Sequence, residues 1–306
     1  MALFGTVLSA AVLVASCGPS APRRTVAVGD DAITVASFNF PESVILAEIY
    51  AQALEAGGFD VDRELDLGAR ELVEPALERG LVEFVPEYSG SALTFVTKGE
   101  VAATADEATT HRDLTTALHE RGLVALAQAR AQDKNGVVAT AETATRFELR
   151  TISDLAPVAS QLVFGGPPEC PERPLCLLGL ESTYGLKFRD FVSLDSGGPF
   201  TVQALAQGQV DVGLLFTTDG AIDSNGFVLL EDDRMLQPAE NVTPVVHEVV
   251  VDRFGEDFVR LVNAVSAELT TDDLRELNAL VTIEGERARD VATGWLAEHD
   301  LSGPVD

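Results

Sequence analysis

Apolar and polar positions follow two alternating rhythms along this chain, one of period two and one of period 3.6. Ile33-Thr-Val-Ala-Ser37 predicts a first strand. Pro41 to Ala56 predicts a helix, with Pro41 in its first turn, Ile45, Ile49 and Ala53 on one face, and Gly57-Gly58 as a stop. Asp60 to Leu67 alternates again, its acids facing one way and Val61, Leu65 and Leu67 the other. A short helix follows over Glu71–Arg79, where Pro75 predicts a kink or a late start. Val82–Pro86 predicts a strand, 109–121 a helix, and Leu123–Ala127 a strand.

A second set then begins. Strands are expected at Val137–Thr140, Leu162–Gly165, Val210–Phe216 and Phe227–Leu230, with helices near 177–184 and 200–206. Val245–Val251 reads as one more strand and the remainder as helix, where Thr270-Thr-Asp-Asp273 offers a capping box. Repeated βαβ order implies mainly parallel sheets flanked by helices, here as two α/β lobes with a helical tail. Sites in such sheets form at the carboxyl ends of strands. Three ends suit one: Ser37–Pro41, Pro86–Ser91 and Phe216–Asp219.

The N-terminus adds location. An apolar run ends in Val14-Ala-Ser16 directly before Cys17. That is the pattern of a bacterial lipoprotein signal over 1–16, with Cys17 lipidated and 17–32 serving as a tether. The run is too short to span a bilayer. No basic residue precedes Arg23, although a signal n-region carries Lys or Arg, so the expected start lies upstream of Met1. Cys170 and Cys176 stand six apart in a Pro-rich stretch, and outside the cytoplasm such a pair reads as a disulfide. A metal pair lacks nearby partners, since the histidines stand at 111, 119, 247 and 298.

The net charge of -28 repels phosphate backbones and argues against nucleic acid as a partner. No Gly-x-Ser-x-Gly elbow, Gly-Lys-Ser/Thr loop or His-Glu-x-x-His is present, so no catalytic constellation stands out and no cofactor is expected. Gly197-Gly-Pro199 before a helix reads as a turn rather than an anion site.

An ordered set of short stretches then becomes specific. Val35-Ala-Ser-Phe-Asn-Phe-Pro-Glu-Ser43, Glu48-Ile-Tyr-Ala-Gln-Ala-Leu54, Pro86-Glu-Tyr-Ser-Gly-Ser91, Ala131-Gln-Asp-Lys-Asn-Gly136, Gly179–Gly185, Leu194–Pro199 and Val210–Asp219 resemble the osmoprotectant substrate-binding proteins of ABC transporters, the glycine betaine, choline and carnitine binders. The resemblance implies the two-lobed type II periplasmic-binding fold. It places lobe 1 at 33–136 and 242–306 and lobe 2 at 137–241, with the ligand held between them.

In that family a quaternary ammonium sits among aromatic rings, and a basic residue takes the ligand carboxylate. Carried over, Tyr88, Phe216 and Phe38 would face the cation. Arg173 would take a carboxylate, and Ser37, Asn39, Ser91, Asn135 and Thr217 would supply polar contacts. Asp133 and Glu240 would add counter-charge. Fewer cage tyrosines than usual imply weaker or broader selectivity. The expected protein is a monomeric solute receptor that is not an enzyme, works with ABC permease subunits, and touches the membrane only through its lipid anchor. The alternatives on the same fold are a binding protein for another small solute (an amino acid or polyamine), an extracytoplasmic sensor without a transport role, and an enzyme of the porphobilinogen deaminase kind, which needs a cofactor-bearing Cys.

Overall fold

Successive residues of β1 (Ile33–Phe38) go to opposite cores: Val35 joins one hydrophobic cluster and Ala36 another, both fully buried. Strands covered on both faces read as near-continuous apolar runs, which is why β1 shows little alternation. The structure, a computed structural model, describes residues 32–195 and 197–303, so Cys17, the signal segment and most of the tether lie outside the described residues.

The first half runs β1, α1 (Pro41–Ala56), β2 (Val61–Gly68), α2 (Arg70–Glu78), β3 (Phe84–Tyr88), α3 (Ser89–Val96), α4 (Glu107–His119) and β4 (Leu123–Ala125). Next come β5 (Asn135–Ala139), α5 (Ala141–Phe147), β6 (Val163–Gly166), α6 (Leu177–Tyr184), β7 (Asp190–Ser193), α7 (Pro199–Ala206), β8 (Val212–Phe216), α8 (Ala221–Ser224) and β9 (Val228–Leu230). The chain ends in β10 (Val242–His247), α9 (Glu248–Glu268), α10 (Thr271–Thr282) and α11 (Ala288–Glu298).

These strands form two five-stranded sheets of orders β2-β1-β3-β10-β4 and β7-β6-β8-β5-β9. Each is parallel except for one reversed strand, β10 in the first and β5 in the second. The reversed strands are the ones the chain enters on passing from one sheet to the other. Just before them, Gln132 and Asn241 pair as an antiparallel bridge, so the two crossing segments run side by side. Each sheet carries a core on both faces, and β5 shows it: Val137 joins one cluster of the second lobe and Val138 the other.

α3, α5, β7 and α8 are additional to the expected elements, and two of the expected ones differ in detail. The strand expected over Val245–Val251 ends at His247, whose Nδ1 accepts from the Val249 amide while Glu248 begins α9. The β-branched run 249–251 favours a strand locally, but its packing as the first turn of α9 prevails, with Val250 fully buried in the core. Pro75 lies inside α2 without delaying its start, at the cost of the amide that would otherwise serve the Glu71 carbonyl. The capping box forms as expected: Thr270 Oγ1 accepts from the Asp273 amide and Asp273 Oδ2 from the Thr270 amide.

Candidate functional site

Two of the three expected strand ends meet through one amide. Asn278 on α10 donates to Glu42 Oε2 at 2.6 Å and to the Thr218 carbonyl at 2.9 Å. Glu42 sits in the first turn of α1, after β1, and Thr218 follows β8. The end of β3 joins from the other side, where the Tyr88 hydroxyl donates to Glu42 Oε1 at 2.6 Å. One buried carboxyl therefore ties together the loops that follow β1, β3 and β8.

Acidic groups crowd this place. Burial raises the Glu42 carboxyl above its usual range, against its hydrogen bonds and with help from Asp219. Asp133, in the crossing segment, is raised well above its usual range, first by burial and then by the Glu42 charge, with Thr218 opposing. Its Oδ1 is buried with no hydrogen-bond partner. Glu240, in the other crossing segment, is raised by burial although it accepts from both the amide and the hydroxyl of Ser91 at 2.9 Å. Asp219 is raised by burial as well. Among the described residues none of these four carboxyls forms a salt bridge. Tyr88 is driven well above the usual phenol value by burial and by Glu42 and Asp133, so its proton stays on the hydroxyl.

The aromatic side is partly where the sequence puts it. Tyr88 is buried, and the Phe40 ring covers it at 6.1 Å. Phe40 and Phe216 are each 37 % exposed and supply the open faces. Phe38 lies beneath them at 2 % exposure, stacked on Phe40 at 5.9 Å with the Arg70 guanidinium 5.0 Å from its ring. That guanidinium also holds Glu87 through two nitrogens. Phe216 packs on Gly197, where an added Cβ would come within 3.2 Å of the ring.

The polar positions divide. Ser37 is fully buried and its hydroxyl accepts from the Asp66 amide at 2.9 Å, so it braces β2. Asn39 is exposed after β1. Thr217 Oγ1 accepts from the Lys134 amide and donates to the Gln132 carbonyl, tying β8 to a crossing segment. Asn135 pairs with Phe216 in register and its side chain donates to the Leu175 carbonyl at 3.4 Å. Arg173 is exposed on the loop closed by the Cys170–Cys176 disulfide, and it lines one cavity with Asn135, Glu169 and Leu175. The N-terminus of α7 is closed from within: Asp195 accepts from the amides of Gly198, Phe200 and Thr201. The Gly198 amide of the turn and the early α7 amides of Phe200 and Thr201 are thus spent on the same aspartate. Among the described residues no cluster of metal-ligating side chains occurs.

Sequence reading missed Phe40, Glu42, Thr218 and Asn278. The signal for Glu42 is its place one residue after the helix-starting Pro41 at a strand end. Nothing local marks Asn278, which stands 236 residues from its partner.

Residues 31–298 match the family model for the substrate-binding domain of ABC-type glycine betaine transport systems. The chain is 31% identical over 282 residues to the glycine-betaine-binding protein of Pseudomonas aeruginosa, covering 89% of each. It is 26% identical over 266 residues to the glycine betaine-binding protein YehZ of Escherichia coli, covering 84% of this chain and 87% of that one. A solved glycine betaine/carnitine/choline ABC transporter structure superposes with a TM-score of 0.82 at 21% identity, over 88% of this chain and 99% of that one.

Proposed function

The chain belongs to the family of substrate-binding domains of ABC-type glycine betaine transport systems, whose members serve ABC importers outside the cytoplasm, and we propose that it captures a small quaternary amine between its lobes. The observation that carries this reading is the open Phe40 face on Tyr88, whose hydroxyl donates to Glu42 in a carboxyl cluster that forms no salt bridge among the described residues; Phe216, half-exposed two residues before Thr218, offers a second open face at the strand end that Asn278 ties to Glu42. A trimethylammonium group cannot donate a hydrogen bond, so it is held by ring faces and by opposite charge. Each desolvated ring face contributes up to about 2 kcal/mol.

In this reading lobe 1 comprises 33–136 and 242–306, and lobe 2 comprises 137–241. The paired crossing segments at Gln132 and Asn241 act as the hinge. Tyr88 backs the cage and fixes Glu42. Ser91 orients Glu240, and Thr217 and Asn135 hold the β8 and β5 ends that present Phe216. Arg173 stands at the rim, where it would meet a ligand carboxylate. Ser37 and Phe38 support the wall from below, and Asn39 edges it. The protein works as a monomer, held to the membrane by lipid on Cys17, and hands its ligand to permease subunits without chemical change. Isothermal calorimetry against glycine betaine, choline and carnitine tests the reading: one of them should bind. Saturating ligand, at 100 times its dissociation constant, should add about 2.7 kcal/mol of stability. Absence of binding by all three to folded protein would refute the ligand class.

A further inference from the structure

The trimethylammonium head is common to the candidate solutes; their tails differ. Choline ends in a hydroxyl that can donate a hydrogen bond, and glycine betaine ends in a carboxylate that can only accept. These chemistries differ in what they would bring to Asp133. Its Oδ1 is buried and lacks a donor. Charged and titratable groups face it from several elements: Glu42 from α1, Tyr88 from β3, and Glu240 from the second crossing segment. Asp219, after β8, acts on Glu42. The nearby cations reach the Glu240 side of the cluster: Arg70 of α2 holds Glu87 and also acts on Glu240, and the Lys134 ammonium answers to Glu107, Asp232 and Glu240, but among the described residues neither forms a salt bridge with Asp133 or Glu42.

We infer that Asp133, with Glu42 behind it, sets the selectivity of this site for a cation whose tail donates a hydrogen bond over one whose tail carries a carboxylate. Capture of that cation displaces a proton from the carboxyl pair to solvent. The inference rests on the quaternary-amine reading above and sharpens it.

Two physical steps carry it. First, a second carboxylate brought against Asp133, Glu42 and Glu240 meets like charge in a desolvated place, which is strongly unfavourable. Second, two neighbouring buried carboxyls retain a proton while the site is empty, because both cannot ionise together. A bound cation supplies the missing counter-charge, so the proton leaves. Reciprocity then requires choline to bind more tightly as pH rises. Betaine, bringing its own negative charge, favours retention of the proton and should weaken or stay level over the same range. Arg173, at the rim on the disulfide loop, lines a cavity with Asn135, Glu169 and Leu175 and, among the described residues, pairs with none of these carboxyls, so it offsets only part of this repulsion for a carboxylate tail.

The test is calorimetric titration of the intact protein with choline and with glycine betaine, at several pH values and in two buffers of different ionisation enthalpy. Choline should bind about tenfold or more tightly than betaine at neutral pH, release protons, and gain affinity with pH. Asp133→Asn should lower the proton release and narrow the gap between the two solutes. Tighter binding of betaine, or choline binding without proton release, overturns the inference and leaves the functional reading standing. Binding of neither solute, nor of carnitine, overturns the functional reading and this inference with it. If Asp133→Asn fails to fold, the wild-type pair of titrations decides alone.

Discussion

The Tyr88 hydroxyl donates to Glu42 Oε1 at 2.6 Å, and this bond fixes the end of β3 to the start of α1. It fills one oxygen of a buried carboxyl whose other oxygen takes the Asn278 amide. Tyr88→Phe keeps the ring and removes the donor. An acceptor left buried without a partner costs about 1–3 kcal/mol. The variant should therefore lose stability in that range in urea. Its ligand binding should weaken less than in Tyr88→Ala, which also removes an aromatic wall. Equal affinities for the two variants would show that the ring contributes nothing.

Glu74 on α2 is buried, and among the described residues no hydrogen-bond donor reaches either of its carboxyl oxygens. Burial, and then the neighbouring Glu87, pushes its carboxyl up to about 9 from an ordinary value of 4.5. Folding therefore takes up a proton between those two values. The contribution to stability is full below the lower value and declines as pH rises toward the upper one. The protein should unfold at lower urea concentration near pH 9 than near pH 5, and Glu74→Gln should flatten that trend. A parallel pH profile in the variant would place the titration elsewhere.

Much of this arrangement is legible in the chain, and the exceptions have physical causes. The strand ends at Ser37–Pro41, Pro86–Ser91 and Phe216–Asp219 converge because strands and helices alternate with clear stops. Phe38 and Phe40 share a parity, so strand alternation alone would send both to one face. The strand ends at Phe38, and the chain then turns into α1. Phe38 stays with the core and Phe40 comes out. Helix α3 is hidden because Ser89-Gly90 reads as a turn. Gly90 is small for a different reason: a Cβ there would come within 2.6 Å of the Ala239 carbonyl. Asn278 joins the site only through tertiary contact of α10 with α1 and with the Thr218 carbonyl.

The Cys170–Cys176 bond closes a loop with a sequence separation of only 6, with Cα atoms 5.2 Å apart. Chain-entropy arguments give about 2 kcal/mol for so short a loop. Replacing both cysteines by serine should lower the unfolding free energy by that amount. It should also loosen Arg173, so binding of a carboxylate-bearing solute should suffer more than binding of choline. Equal stability with and without reductant would refute the structural role.

Lipid on Cys17 makes a separate prediction, since that residue lies outside the described fold. Cys17→Ser should release the protein from the membrane fraction, or leave it unprocessed at higher mass. Unchanged fractionation with an unchanged mature N-terminus would remove the anchor from the account.

Gly220 tests the approach of the two lobes. It precedes α8 in the second lobe, and an added Cβ would lie 2.6 Å from the backbone nitrogen and Cα of Ala279 on α10. Its φ of -60° suits any residue, so substitution strains nothing locally. Only the approach of α10 forbids a larger side chain. The same contact carries Arg275 on α10 facing Asp223 on α8 at 3.7 Å, a pair too exposed at the aspartate to stabilise it by much. Gly220→Ala should therefore leave each lobe folded while pushing the lobes apart at the place where Asn278 bridges them. Ligand affinity should fall about tenfold or more, because closure would then demand a shift of backbone rather than of a flexible side chain. Small-angle scattering at saturating ligand should show a larger radius of gyration for the variant than for the parent. Unchanged affinity together with unchanged scattering would mean that the approach of Gly220 to Ala279 is no part of the bound state.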